Sequence, residues 1–270
     1  MIPPIGYALR ERIRPLPPDF AADASEITFE NTNFEQARVR RDYLSLHTTL
    51  VSLGDSNAID QRYFSRVRMT ALALGANSLT ARLACKRVTV IGTEIDPFAP
   101  PAWTDAVLSA TSQRVQMLQN QCEPLRFYLE SIAYLYRQPG EMSEAEFLSR
   151  LLTRTGCGWS LDVTSVAANA VNFGFDAYEF LAEVLPSAQH LQIYLGGSYF
   201  DDEASLELLS SSQPIPELAW DLYRFALNQS RHKVEAIFLR GEQADGSEIR
   251  TAHRIATETL RPQAIALRSR

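Results

Sequence analysis

His47, Glu130 and Asp162 are the side chains whose types could do chemistry together: one imidazole and two carboxylates, each closing a short apolar run. Such a set can bind a metal through nitrogen and oxygen, or pass a proton between two acids without one. Leu44-Ser45-Leu46 leads into His47, Phe127-Tyr128-Leu129 into Glu130, and Trp159-Ser160-Leu161 into Asp162. An acid at the end of a buried run needs a partner, because an uncompensated carboxylate is costly to desolvate. Glu30, Asn31, Arg82, Tyr194 and Arg240 end similar runs and complete a candidate pocket lining. The bland alternative is a set of satisfied polar residues that hold no ligand.

The elements that must position these residues are read from periodicity. Strands are expected near Ile5-Leu9, Ile27-Glu30, Tyr43-His47, Ser78-Leu83, Arg126-Glu130, Trp159-Val163, Leu191-Leu195 and Glu235-Leu239. Helical spacing falls near Asn33-Arg41, Ile59-Ala73, Pro101-Asn120, Ser143-Thr153, Ala177-Leu185, Ile215-Ser230 and Ser247-Leu260. Ser143 with Glu146 forms a capping-box pattern, and Pro214 and Pro216 sit where a helix would begin. Strand alternating with helix implies a parallel sheet, and eight strands close a barrel. The expected fold is α/β, a single (β/α)8 TIM-type barrel domain spanning 1–270. Pro15-Leu16-Pro17-Pro18 lies too near the start to divide domains, and no internal repeat is present. In such barrels catalytic groups sit at the C-terminal strand ends, where the candidate residues fall.

Composition narrows the function classes. The chain has 270 residues, 46% of them hydrophobic, and a net charge of -6. That size permits a full core, and that charge gives no basic footprint for nucleic acid. No signal peptide and no bilayer-length apolar run is found, so no membrane association and a cytoplasmic location are expected. Cys85, Cys122 and Cys157 lack CxxC spacing and read as buried free thiols. Neither His190 nor His232 has the context of a base for Cys157, and His253 reads as solvated. GxGxxG, P-loop, GxSxG and HExxH motifs are all missing. Gly196-Gly197-Ser198 could meet a phosphate through backbone N–H groups.

Beyond these features, a series of short motifs stands in a familiar order. Glu26-Ile27-Thr28-Phe29-Glu30-Asn31 is followed by Leu44-Ser45-Leu46-His47 and Leu50-Val51-Ser52-Leu53-Gly54. Next come Tyr128-Leu129-Glu130-Ser131, then Thr155-Gly156-Cys157-Gly158 with Leu161-Asp162 and Asn169-Ala170, and finally Trp220-Asp221-Leu222-Tyr223. The series resembles the multinuclear non-haem iron enzymes that modify peptides, the family of MbnB and TglH. The resemblance implies a TIM barrel active in RiPP biosynthesis, with two or three iron ions held by His, Glu, Asp and Asn side chains. It also implies a precursor peptide and a leader-peptide-binding partner protein.

Measured against that pattern, His47, Glu130 and Asp162 keep ligand-type residues, and other positions do not. Arg82 in Thr80-Ala81-Arg82-Leu83 stands where the family has a ligand histidine. The Asp-x-Asn-Asn run reads Asp162-Val163-Thr164-Ser165, and His-Leu-Ala-Gly-His reads Tyr194-Leu195-Gly196-Gly197-Ser198. Asp-x-His reads Ser210-Ser211-Ser212, and the closing Glu-Arg-Asp reads Leu239-Arg240-Gly241. A guanidinium stays protonated and repels the cation it replaces. Arg82 is therefore expected to pair with Glu130 and Asp162, so that an ion-pair cluster stands in for the metal.

Two readings stay open. One is a metal-depleted pseudoenzyme, a binding or scaffolding subunit that works with a peptide or an active homologue and needs no cofactor. The other is an active oxidative enzyme, either with a reduced iron site on His47, Glu130 and Asp162 or with metal-free chemistry between the acids. The sugar isomerases and endonucleases of the wider barrel class need fuller ligand sets.

Overall fold

The barrel strands alternate mostly large apolar residues, which face the helices, with small, polar or aromatic residues, which face inward. That period gives the sheet two buried faces. The computed structural model describes residues 2–9, 23–31, 42–55, 58–85, 88–90, 93–95, 99–240 and 246–261. Its barrel strands are β1 (Ile5–Leu9), β2 (Ala24–Thr28), β3 (Tyr43–Ser52), β4 (Ser78–Arg82), β7 (Arg126–Glu130), β8 (Gly158–Asp162), β9 (Leu191–Gly196) and β12 (Val234–Arg240). They pair in parallel in the order β1-β12-β9-β8-β7-β4-β3-β2, and β2 closes back on β1. This is the expected (β/α)8 architecture. Two antiparallel hairpins project from it, β5 (Val88–Val90) with β6 (Thr93–Ile95) and β10 (Ser198–Asp201) with β11 (Leu206–Leu209).

Seven helices are described: α1 (Gln61–Ala73), α2 (Asp105–Cys122), α3 (Glu144–Thr155), α4 (Val163–Phe173), α5 (Ala177–Val184), α6 (Glu217–Gln229) and α7 (Ser247–Leu260). Asp60, Thr104, Ser143, Asp162 and Asp176 cap α1 to α5 by accepting bonds from first-turn N–H groups. The helix expected over Asn33-Arg41 and the Pro15-Leu16-Pro17-Pro18 tract lie outside the described residues.

Leu46, Leu79, Leu129, Trp159, Leu161, Ile193, Ile237 and Leu239 are fully buried and belong to the core shared by barrel and helices. Each such side chain contributes about 1.5–3 kcal/mol of burial. Inside the barrel a smaller apolar cluster holds Ala8, Ala24, Tyr43, Tyr194, Ala236 and Phe238. The rest of the interior is polar. Buried Gln192 donates to Tyr43 Oη (3.0 Å) and Ser78 Oγ (2.9 Å), and accepts from Ser160 Oγ (3.0 Å) and Tyr194 Oη (3.0 Å). Gly158 lets this interior close, since a Cβ there would lie 2.4 Å from the Tyr128 ring.

Three expectations are corrected. The second strand is Ala24–Thr28, and Phe29, Glu30 and Asn31 form a 3-10 turn. The third strand does not stop at His47; it runs to Ser52 through an irregularity between Thr48 and Ser52. Helix α4 stands where the sequence suggested only a polar strand tip. Eight of its eleven residues are buried, so it lacks the polar face from which helical spacing is read.

Candidate functional site

Alternation places the second member of six i, i+2 pairs at one end of the barrel interior: Ser45 and His47, Thr80 and Arg82, Tyr128 and Glu130, Ser160 and Asp162, Gln192 and Tyr194, Phe238 and Arg240. The carbonyl end of the parallel strands therefore collects two carboxylates, two guanidiniums, an imidazole and a phenol.

Arg240 joins the acids. Its Nη2 donates to Glu130 Oε1 at 2.5 Å and its Nη1 to Asp162 Oδ2 at 2.5 Å, so one planar fork spans both carboxylates. Its Cζ lies 4.9 Å from the centroid of the Tyr194 ring. Glu130 and Asp162 are each 2% exposed at the side chain, and Arg240 is 19% exposed. On the far side of Glu130, Oε2 lies 2.9 Å from His47 Nε2 and 3.5 Å from Arg82 Nε. The guanidinium that bridges both acids is thus Arg240, and Arg82 approaches Glu130 at its other oxygen. Strand register explains this: Arg82 sits beside Glu130 on neighbouring strands, whereas Arg240 reaches across the barrel end to meet both acids.

Asp162 has a second task. Its Oδ1 accepts from the N–H of Thr164 (3.0 Å) and Ser165 (3.2 Å), and its Oδ2 accepts from Ser165 Oγ (2.7 Å). One carboxylate therefore closes the ion cluster and starts α4. Thr164 Oγ1 then ties that helix to β9, donating to Gly196 O (3.0 Å) and accepting from Gly196 N (2.9 Å). The Gly196 N–H is thereby engaged within the fold rather than offered to a phosphate. Leu239, aligned with the family's closing acid, packs in the helix-facing core; the inward position is Arg240.

The other candidates lie elsewhere. Glu30 Oε1 accepts from Thr48 Oγ1 (2.9 Å), Thr49 N (3.0 Å), Leu50 N (3.1 Å) and the Tyr63 hydroxyl, clamping the irregular end of β3. Burial alone would raise its pKa, but the Tyr63, Thr48 and backbone donors outweigh burial and hold it below the ordinary value. Asn31 closes the adjoining turn. A pocket of about 270 Å³ opens beside this clamp, lined by Ser52, Asp55, Asp60 and Tyr63, not over the ion cluster. Tyr194 directs its hydroxyl inward to Glu26 and Gln192. Ser210 and Ser212 pair with each other at the base of the β10–β11 hairpin. His190 lies at the opposite barrel end, 2.7 Å from Glu235. His253, expected in solvent, is half-buried on α7. Cys157 is buried, and burial pushes its thiol up to about 12, which leaves no thiolate at neutral pH.

Sequence reading missed Glu26, Tyr128 and Gln192 as interior polar residues. Period-two alternation within each strand was the available signal.

The fold is shared with solved barrel structures of low sequence identity. Endonuclease IV from Thermus thermophilus superposes with a TM-score of 0.56 at 14% identity, covering 95% of this chain and all of that one. An L-ribulose 3-epimerase gives 0.52 at 11% identity, over 86% of this chain and 76% of that one. Among sequence relatives, a UPF0276 protein of Bordetella pertussis is 33% identical over 68% of this chain. That match spans only 64% of the relative's length. A UPF0276 protein of Caulobacter vibrioides is 27% identical over 83% of this chain and 79% of its own. No described helix is long and apolar enough to cross a membrane. The model of the RiPP precursor modification enzymes MbnB/TglH/ChrH matches residues 19–249, and the chain belongs to that family.

Proposed function

We propose that this chain is a family member whose multinuclear iron site has been replaced by an ion-pair cluster, and that it binds or scaffolds a peptide rather than oxidising it. The observation that carries this reading is the Arg240 fork across Glu130 and Asp162. The donor set does not fit several iron ions. Each oxygen of the two acids already accepts from Arg240, Arg82, His47, Ser165 or the α4 backbone. Arg82 adds a fixed positive charge beside Glu130, whereas Arg240 matches the arginine of the family's closing motif and is not itself a replacement. Among the described residues, no three His, Cys, Asp or Glu side chains are grouped to hold one ion. Arg82 occupies the position at which the resemblance implies a histidine. The partners proposed are a precursor peptide and a leader-peptide-binding protein or an active homologue, acting in the cytoplasm.

A second reading keeps an active oxidative enzyme with iron on His47, Glu130 and Asp162. It is favoured by the 2.9 Å approach of His47 to Glu130, which joins two of those residues. Metal analysis separates the two. Protein purified without chelator, and again after anaerobic reconstitution with ferrous iron, is expected to carry no stoichiometric iron, manganese or zinc. Near-stoichiometric iron that disappears in His47→Ala would overturn the replacement and establish the second reading.

A further inference from the structure

The β10–β11 hairpin leaves the barrel after β9, on the side where the ion cluster lies. It is held along one edge. Asn172 of α4 donates from Nδ2 to Glu207 O (3.0 Å) and accepts from Glu207 N at Oδ1 (2.7 Å). The backbone of Glu207 therefore faces α4. Register pairs Glu207 with Phe200. In an antiparallel ladder, two residues whose backbone groups do not bond each other turn them to opposite edges. Phe200 accordingly presents its N–H and C=O along the outer edge of β10. The bond from Ser210 N to Gly197 O (2.9 Å) fits the same alternation. Among the described residues, β10 pairs with no strand besides β11 and the Phe200 backbone has no hydrogen-bond partner.

The edge is dressed for contact. Tyr199 is 42% and Phe200 50% exposed, one on each face of the strand. At its end the turn carries Asp202 and Glu203, both exposed, while Asp201 is occupied in bonding the N–H groups of Glu203 and Ala204. The hairpin is also pre-formed. A Cβ on Gly197 would lie 1.9 Å from Gln213 O and 2.5 Å from Ser210 O, so the base of the hairpin is closed tightly.

We propose that the outer edge of β10 is a docking strand for an extended segment of another polypeptide. That segment sets apolar residues against Tyr199 and Phe200 and a basic side chain against Asp202 and Glu203. An N–H and a C=O facing the same way along a strand are matched by another backbone. The acidic turn selects a basic occupant. A second copy of this chain would bring its own acids to the edge, and each copy carries a net charge of -6. Because the strand is already ordered, docking spends little on conformational entropy. The assignment holds whether or not the barrel retains metal.

The test uses the full chain and a fluorescein-labelled synthetic peptide alternating lysine and valine. Its glutamate–valine counterpart and a version N-methylated at alternate residues serve as comparisons. The lysine peptide is expected to bind saturably, at least tenfold tighter than either, and to slow hydrogen exchange at the Phe200 amide. Phe200→Pro, which removes that amide, and the Asp202→Lys/Glu203→Lys double variant are each expected to weaken binding about tenfold. The proposal is overturned by equal binding of the N-methylated peptide, by no saturable binding, or by unchanged Phe200 exchange. It is equally overturned by self-association that protects Phe200 without peptide.

Discussion

Replacing Arg240 with methionine keeps most of the side-chain stem but removes the guanidinium that lies over Tyr194, leaving Glu130 and Asp162 buried without their shared cation. Breaking a buried pair by removing one partner costs about 3–5 kcal/mol. Here the lower end applies. Arg82 still lies 3.5 Å from Glu130, and Asp162 keeps the Thr164 and Ser165 donors. With an unfolding entropy of about 2.1 cal/mol/K per residue over the 270 residues, a loss of about 3 kcal/mol lowers Tm by roughly 5 °C. Urea midpoints and thermal scans at pH 7 measure both quantities. Adding Asp162→Asn tests the cause: asparagine can still cap α4 but carries no charge. If stranded charge is the cost, Asp162→Asn destabilises wild type but restores at least about 1 kcal/mol in the methionine background. An Arg240→Met protein within about 0.5 kcal/mol of wild type, the scale of an ordinary surface change, would refute the ion-pair cluster as a stabilising unit. Simple addition of the two single costs would refute the charge explanation.

Further outcomes follow from the same geometry. Arg82→His alone should not take up ferrous iron, because Arg240 still spans both acids; Arg82→His with Arg240→Glu should, as total iron per chain after anaerobic reconstitution will tell. Burial pushes the thiols of Cys85 up to about 11 and of Cys122 and Cys157 up to about 12. Iodoacetamide at pH 8 should therefore label the folded chain at least about a hundredfold more slowly than the urea-unfolded chain, by mass spectrometry. Burial also raises Glu144 to about 7 from the ordinary 4.5, against the opposing pull of the Tyr134 hydroxyl and Arg137. The folded state then holds that proton to higher pH than the unfolded chain, so stability falls as pH rises from about 4.5 to about 7 and levels off above. Urea midpoints of wild type should decline relative to Glu144→Gln across that window, and parallel curves would contradict the shift.

The sequence by itself determined the eight-strand barrel, because each strand alternates its faces or closes on an apolar run, and strand and helix periods succeed one another. It also marked Glu130 and Asp162, since an acid ending such a run must find a partner. Ser143 as a helix cap was legible for the same local reason: its hydroxyl meets an N–H three residues away. What only the tertiary structure decided are contacts between residues distant in sequence. Arg240 is 110 positions from Glu130 and 78 from Asp162, and no local pattern distinguishes it from Arg82 as the residue that spans both. Barrel closure decides that, by bringing the last strand beside the first and turning its inward side chain across the opening. Helix α4 was illegible because burial on all sides erases the polar face. Glu30 looked like a mouth residue until the extension of β3 folded back over its carboxylate. Which edge of the β10–β11 hairpin is held was equally non-local, since Asn172 on the β11 side is 35 positions from Glu207. Periodicity records which way a side chain faces; closure of the chain decides what it meets there.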